Sequence, residues 1–197
     1  SLPFVIKAVA MALKSHPTIN ASIDKENERI IYKAYVNIGI AVDTERGLVV
    51  PSLRGPDQMS IPDIARALGT IGDNMRDGKI NPSELQGSTF TISNLGAIGG
   101  TYSTPIINVP QTGILGVNTI APAVAVGPDG APAVEQRIGF SLTADHQVVE
   151  VAPVARRRQR PCRAAVVGVA QEGRHGKAHT CVDEGVVGSE ASRVVRL

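Results

Sequence analysis

The sequence contains no tryptophan, and only three tyrosines and three phenylalanines among its 197 residues. A core built from it must therefore be mainly aliphatic. Two cysteines are too few to form a disulfide scaffold in a chain of this length, and their spacing matches no zinc motif. A reducing compartment is therefore the default expectation. We interpret Cys162, His175, His179 and Cys181 as unrelated polar residues of a loose tail rather than as metal ligands.

Net charge and long apolar runs are also scarce. The 20 Lys and Arg residues against 18 Asp and Glu give a formal charge of +2, which is too small to indicate nucleic acid as a partner. No apolar run is long enough to cross a membrane, and the opening segment has no signal-peptide cleavage site. The chain starts at Ser1 on a predicted helix and without a methionine, so we expect an N-terminally truncated fragment.

Hydrophobic periodicity predicts two helices, one within residues 1–16 and one within 60–78. Alternating patterns predict strands at 30–35, 36–42, 48–51, 88–93, 113–119, 124–126 and 134–144. Because helices stand between sets of strands and hairpins, this order predicts an α+β fold with a mixed sheet rather than a regular alternation.

The composition changes after residue 151. Residues 152–197 contain no aromatic residue and no leucine before Leu197, and arginines cluster between 156 and 163. We predict a catalytic domain over 1–151 and a divergent, poorly ordered tail over 152–197, with a poorly specified helix near 153–170 as the alternative. The arginines are interpreted as a solvated charge run rather than a phosphate site.

The strongest local signal is Asp145-His146, directly after the last predicted strand. Histidine titrates near neutral pH, so it can take a proton from a thiol or hydroxyl and return it. A single histidine is more often structural than catalytic, and this pair alone does not identify a site.

The second signal is the end of the strand at 88–93. Alternation places Thr91 and Ser93 on one face, where a hydroxyl could donate a hydrogen bond to a developing oxyanion. A polar strand end that leads into an ordinary turn explains the same residues. The glycines that follow do not form a P-loop, because no Lys-Ser/Thr comes after them.

Four segments occur in the order and spacing of a known family: HPTINASID (16–24), NIGIAVDTERGLVVPSLR (37–54), GSTFTISNLGAIGGTYSTPIINVPQTGILGV (87–117) and SLTADHQVV (141–149). Together they resemble the acyltransferases of 2-oxoacid dehydrogenase complexes, over about residues 2–150. The resemblance implies the α+β fold of chloramphenicol acetyltransferase, a mixed sheet with flanking helices. It also implies trimers whose active sites lie between two subunits.

The resemblance implies that an acyl group moves between dihydrolipoamide and coenzyme A, with the lipoyl group carried on a separate domain. His146 would deprotonate the attacking thiol, and Ser93 would hydrogen-bond the oxyanion. Glu150 would take the second acidic position of the family motif and belong to the catalytic set. Coenzyme A contacts are implied at Asp43, Ser93, Asn94 and Gly116.

The implied partners are a homotrimer within a larger core, together with decarboxylase and dihydrolipoamide dehydrogenase subunits, in the bacterial cytoplasm or the mitochondrial matrix. This sequence departs from the family motif Asp-His-Arg-x-x-Asp-Gly at Gln147, Glu150 and Val151. Two alternatives therefore stay open: a non-catalytic trimeric scaffold, and a free-standing acetyltransferase that uses coenzyme A. The motifs do not fix the acyl group.

Overall fold

The computed structural model describes residues 1–44, 47–79, 81–96, 99–126 and 130–149, and the backbone of 166–171 and 179–183. Two α-helices and a short 3-10 helix occur in these ranges: α1 (Leu2–Ser15), α2 (Ile61–Arg76) and Pro82–Leu85. The strands are β1 (Ala21–Asp24), β2 (Arg29–Tyr32), β3 (Asn37–Thr44), β4 (Gly47–Val49), β5 (Ser52–Arg54), β6 (Phe90–Asn94), β7 (Gly113–Val126), β8 (Pro132–Ala144), β9 (Val166–Gln171) and β10 (His179–Asp183).

Both predicted helices are confirmed, and their ends follow the local chemistry. The Ser60 hydroxyl accepts a hydrogen bond from the Asp63 amide at 3.3 Å and caps the start of α2. Gly78, at a φ of +67°, lies just beyond its end, in a conformation that glycine adopts without strain. In α1, Ile6, Ala10 and Leu13 form the buried stripe at helical spacing.

The main sheet is mixed, as predicted, with the strand order β10-β9-β8-β7-β6-β3-β4. Strands β3, β6 and β7 run parallel, and β8 returns antiparallel to β7. Strands β4 and β5 both pair with β3, at its two ends, while β1 and β2 form a separate hairpin. The two strands predicted at 113–119 and 124–126 are one strand, β7, with an irregularity between Val117 and Ile120.

The helices cover one face of this sheet. Alternate residues of the strands point to opposite faces, so Ile38, Phe90, Ile92 and Val117 meet Ile6, Ala10, Leu13 and Ile64 of the helices in one buried cluster. Phe90 is the only aromatic residue among the fully buried side chains of the described residues, and the core is aliphatic, as the composition requires. This arrangement leaves the other face of the sheet free for different chemistry.

Beyond residue 149, the described backbone forms β9, parallel to β8, and β10, antiparallel to β9. A helix near 153–170 was the alternative prediction for this part of the chain. The described part of that range belongs to strand β9 and not to a helix. Glu150, Val151, the arginine cluster, Cys162 and His175 lie outside the described residues. Among the described residues, no helix is long and apolar enough to cross a membrane.

Candidate active site

Small and polar side chains line the sheet face opposite the helices. This surface, called the polar face below, consists of Thr91, Ser93, Gly116, Asn118, Ser141 and Thr143 on β6, β7 and β8. Four of these residues, Thr91, Asn118, Ser141 and Thr143, are at most 6% exposed. Burial of so many polar groups is costly unless hydrogen bonds satisfy them, so the polar face is the natural place to look for a ligand site.

Ser93 lies near the carboxyl end of the central strand β6. Its register partners are Ala41 on β3 and Gly116 on β7, so the ladder holds it from both sides. The side chain is half-buried. The predicted hydroxyl is therefore held in place by the two neighbouring strands and is partly accessible to a ligand.

Asn94 and Asp43 lie at the same edge of the sheet as Ser93. Asn94 follows Ser93 on β6, and its Oδ1 accepts a hydrogen bond from the Gly96 amide at 3.3 Å, which shapes the following turn. Asp43 stands two residues beyond Ala41 on β3 and is exposed. Three of the residues implied to bind coenzyme A are therefore grouped at one strand end.

Gly116, the fourth of these residues, is buried beneath the segment that crosses the polar face. A Cβ at this position would lie 2.6 Å from Ser103 Oγ, and 3.5 Å from both Pro105 Cγ and Ser141 Cβ. Glycine is required here because Ser103 approaches the strand so closely. The coenzyme A contact implied at Gly116 stays a prediction.

Sequence reasoning did not single out Ser103, Asn118 or Thr143. Ser103 Oγ, Asn118 Oδ1 and Thr143 Oγ1 are buried without a hydrogen-bond partner among the described residues. The period-two pattern of β7 would have placed Asn118 on the face of Gly116. Nothing in the sequence marks Ser103, because its position depends on how the 101–105 segment folds over the sheet.

His146 follows β8 in a turn that is tied to the rest of the chain at several points. The Asp145 amide donates to Thr112 O at 2.9 Å, and Asp145 O accepts from the amides of Val148 and Val149. Val148 and Val149 are buried in a small cluster with Ile19, Ile23 and Ile30 of the neighbouring segment and hairpin. His146 itself is half-buried. The structure confirms the prediction that this histidine lies just past the end of a strand.

Ser93 and His146 of one chain do not meet. The last pair of β8 with β7 joins Ala144 to Gly113, whereas Ser93 pairs with Gly116, three residues further along β7. At about 3.3 Å per residue this is roughly 10 Å along the strands, and His146 lies two residues beyond Ala144 in the opposite direction. The two residues therefore lie towards opposite ends of the short stretch over which β6 pairs with β7.

An imidazole can take up and return a proton, and a hydroxyl can donate a hydrogen bond to a developing negative charge. In the part of the chain that the structure describes, no group of three or more His, Cys, Asp or Glu residues could hold a metal ion. The chemistry available at these two ends of the sheet is proton transfer at His146 and hydrogen-bond donation at Ser93.

Solved acyltransferase cores share this fold. Over 79% of this chain and 63% of theirs, it superimposes on a dihydrolipoamide acetyltransferase from Azotobacter vinelandii (TM-score 0.72, 38% identity) and on the cubic core of a pyruvate dehydrogenase multienzyme complex (TM-score 0.68, 39% identity). The fold is therefore that of an acyltransferase core.

The sequence gives the same result. The family model of the 2-oxoacid dehydrogenases acyltransferase (catalytic domain) matches residues 1–160. The succinyltransferase component of the 2-oxoglutarate dehydrogenase complex of Bartonella vinsonii subsp. berkhoffii is 48% identical over 147 residues, which are 75% of this chain and 35% of that protein. The chain belongs to the family of 2-oxoacid dehydrogenase acyltransferases, and it spans about a third of the length of this relative.

Proposed function

We propose that the protein transfers an acyl group between dihydrolipoamide and coenzyme A, in an active site that two subunits of a homotrimer form together. The observation that carries this proposal is the separation of Ser93 and His146 towards opposite ends of the stretch over which β6 pairs with β7. A site that needs both residues must take them from different chains. Closed rotational symmetry supplies this arrangement, because each chain can give one end to each of its neighbours.

The chemistry is thioester exchange. The neutral imidazole of His146 takes the proton of the incoming thiol, and the resulting thiolate attacks the carbonyl carbon of the bound thioester. The Ser93 hydroxyl donates a hydrogen bond to the oxyanion of the tetrahedral intermediate. The intermediate then expels the other sulfur as a thiolate, which recovers the proton from His146. The acyl group changes sulfur, and the enzyme returns to its starting state.

Family relatives support these roles. The crystallographic and enzymatic work on the Azotobacter enzyme concerns the role of a serine, a histidine and an asparagine in its catalytic mechanism. In this chain Ser93 and His146 would supply the first two. Glu150, four residues after His146, would supply an acidic group in place of a third, and it keeps the charge of the family motif.

Coenzyme A would bind at the edge of the sheet where the parallel strands β3 and β6 end. Asp43, Ser93 and Asn94 lie there, and Gly116 lets the 101–105 segment pack beside them. The second substrate would be a lipoyl group carried on a separate domain, which reaches the site from the other side.

The assembly would be that of a multienzyme complex core, in the cytoplasm. One related structure is the cubic core of a pyruvate dehydrogenase multienzyme complex. Decarboxylase and dihydrolipoamide dehydrogenase subunits would be the partners of the protein in such a complex. The relatives described above include a succinyltransferase and an acetyltransferase, so both acyl groups are to be assayed.

Mixed trimers test the proposal. One chain carries Ser93→Ala and a second, separately tagged chain carries His146→Ala; each alone should be nearly inactive in thioester exchange. In randomly mixed trimers about one site in four combines an intact Ser93 with an intact His146, so activity should return to roughly a quarter of wild type. A chain with both substitutions, mixed with either single variant, should restore nothing.

Failure of recovery in trimers that demonstrably contain both chains would contradict a site shared between subunits. Wild-type trimers that do not exchange thioesters would favour the alternative of a non-catalytic scaffold, which the changes at Gln147, Glu150 and Val151 suggested. Transfer to a free small-molecule acceptor, but not to dihydrolipoamide, would favour the free-standing acetyltransferase.

A further inference from the structure

We propose that Gln111 is a positioning residue, which fixes the turn that carries His146 against the strand that carries Ser93. The inference rests on the proposed function, because its readout is acyl transfer. The observations behind it are independent of that function. They are the buried side-chain amide of Gln111, whose oxygen and nitrogen both form hydrogen bonds, and the hydrogen bond that the carbonyl oxygen of the next residue, Thr112, accepts from the Asp145 amide.

The side chain of Gln111 is buried and every part of its amide is used. Gln111 Oε1 accepts a hydrogen bond from the Thr91 hydroxyl at 2.7 Å. Gln111 Nε2 donates to Ser88 Oγ at 2.8 Å and to Ser88 O at 3.2 Å. Gln111 is 6% exposed, so water does not replace these partners easily. The amide therefore clamps residue 111 to Thr91 of β6 and to Ser88, which precedes that strand.

The neighbouring residue Thr112 holds the histidine turn. Thr112 O accepts the hydrogen bond of the Asp145 amide at 2.9 Å, one residue before His146. The Thr112 hydroxyl donates to Thr18 O at 2.9 Å, so residue 112 is also tied to the segment that follows α1. A displacement of residues 111–112 would therefore be passed directly to His146.

His146 depends on this clamp more than Ser93 does. Ser93 is held by ladder pairing with Ala41 on one side and Gly116 on the other. His146 lies beyond the last pair of β7 and β8, so its position relative to the sheet is set by the Asp145 contact and by the packing of Val148 and Val149. Loosening Gln111 should misplace the base and leave the oxyanion donor where it is.

The substitution that removes the clamp with little change of shape is Gln111→Met. It keeps the length of the side chain and removes its hydrogen bonds to Thr91 and Ser88. The matched control is Gln86→Met, because Gln86 is exposed next to the short 3-10 helix. Both variants are made in the full-length protein.

The mixed trimers described above tell whether Gln111 serves His146 or Ser93. The Ser93→Ala chain supplies the working His146, and the His146→Ala chain supplies the working Ser93. Gln111→Met placed in the chain that supplies His146 should lower kcat on the order of ten- to a hundredfold, with KM for coenzyme A little changed. The same substitution in the chain that supplies Ser93 should leave the restored activity near that of the parent mixture.

Equal losses in both placements would show a general folding defect and overturn the inference, as would a loss confined to the Ser93-supplying chain or no loss at all. Where Gln111→Met prevents assembly, Thr91→Val is used instead, because it removes only the hydroxyl that Gln111 accepts from. It should show the same asymmetry, at smaller size. Absence of recovery in the parent mixture, before Gln111 is changed, would instead contradict the proposed function.

Discussion

Ser93 and His146 lie towards opposite ends of the short stretch over which β6 pairs with β7, with the Ser93–Gly116 pair near one end and the turn after Ala144 beyond the other. In the proposed trimer, each chain would supply a hydrogen-bond donor to one shared site and a base to another. Because paired strands are stiff along their length, the spacing of the two half-sites within a chain is fixed by the sheet. In the proposed trimer, the geometry of each shared site would then depend on how neighbouring chains pack against one another.

Single substitutions of His146 and Ser93 should lower kcat by different factors. His146→Ala should reduce kcat for thioester exchange by about 10² to 10⁴, the usual contribution of a general base. Ser93→Ala should reduce it by about 10² to 10³, the usual cost of one oxyanion donor. His16→Ala and Ser83→Ala are the matched controls, since His16 follows the last residue of α1 and Ser83 lies in the short 3-10 helix. Near-normal turnover in His146→Ala would count decisively against the mechanism.

Gly116 offers a test of packing beside Ser93. Gly116→Ala places a methyl group 2.6 Å from Ser103 Oγ, so we expect a loss of about 1–3 kcal/mol from overpacking. Adding Ser103→Ala removes the colliding oxygen and should recover most of this loss, since the other neighbours are at ordinary contact distance. The free energy of unfolding in urea measures both effects.

The control for this pair is Gly69→Ala, at a helical site where a Cβ meets nothing within 4 Å. It should stabilise the protein by up to about 1 kcal/mol, because alanine is the better helix former. If Gly116→Ala were tolerated as well as Gly69→Ala, the close approach of Ser103 would be refuted.

Local chemistry made parts of this fold predictable. The cap at Ser60 and the stop at Gly78 marked α2, and the alternation around Ser93 placed Thr91 and Ser93 on one face. Strand β7 was divided in prediction at residues 120–123, where Pro122 has no amide to donate to a ladder. In the structure the ladder with β8 runs through these residues without a break, from Ile120 to Val126.

The relationship between the two ends could not be predicted, because it depends on which strands are neighbours. Parallel pairing of β3, β6 and β7 joins segments far apart in the chain, and no local pattern specifies it. The same holds for Gly116, whose requirement comes from Ser103 in a covering segment, and for Gln111, whose partners lie 20 and 23 residues away. Glycine and glutamine at these positions become interpretable only once their neighbours are known.

Lys7 ties α1 to the segment before α2 by an unusual set of contacts. Its ammonium donates to the carbonyl oxygens of Asp57 at 2.7 Å and Met59 at 2.8 Å, and more weakly to that of Pro56. Lys7→Met should cost about 1–3 kcal/mol, because these carbonyls lose a charged donor. Lys14→Met is the control: its ion pair with Asp57 is half exposed and should contribute only about 0–1 kcal/mol. Equal costs for the two substitutions would refute this difference.

The β1–β2 hairpin, which packs against the turn that carries His146, should contribute less stability at acid pH. The Arg29 guanidinium, which donates to Asp24 Oδ2 at 2.7 Å, and the Asn27 side chain hold the pKa of Asp24 below its ordinary value of 3.8. A carboxyl whose pKa is lowered by folding stabilises the protein above its unfolded pKa, and that contribution is lost as the pH falls through the folded value. Asp24→Asn should therefore be less stable than wild type at pH 7, and the difference should shrink below about pH 4.

Urea unfolding of both proteins between pH 7 and pH 3 measures this difference. Glu26→Gln, in the same hairpin, removes one negative charge from an exposed side chain and corrects for the change in net charge. Because Ile23 and Ile30 of this hairpin pack on Val148 and Val149, Asp24→Asn should also lower thioester exchange slightly at neutral pH. If the difference in stability between wild type and Asp24→Asn stayed constant down to pH 3, the ion pair of Asp24 with Arg29 would not be its source.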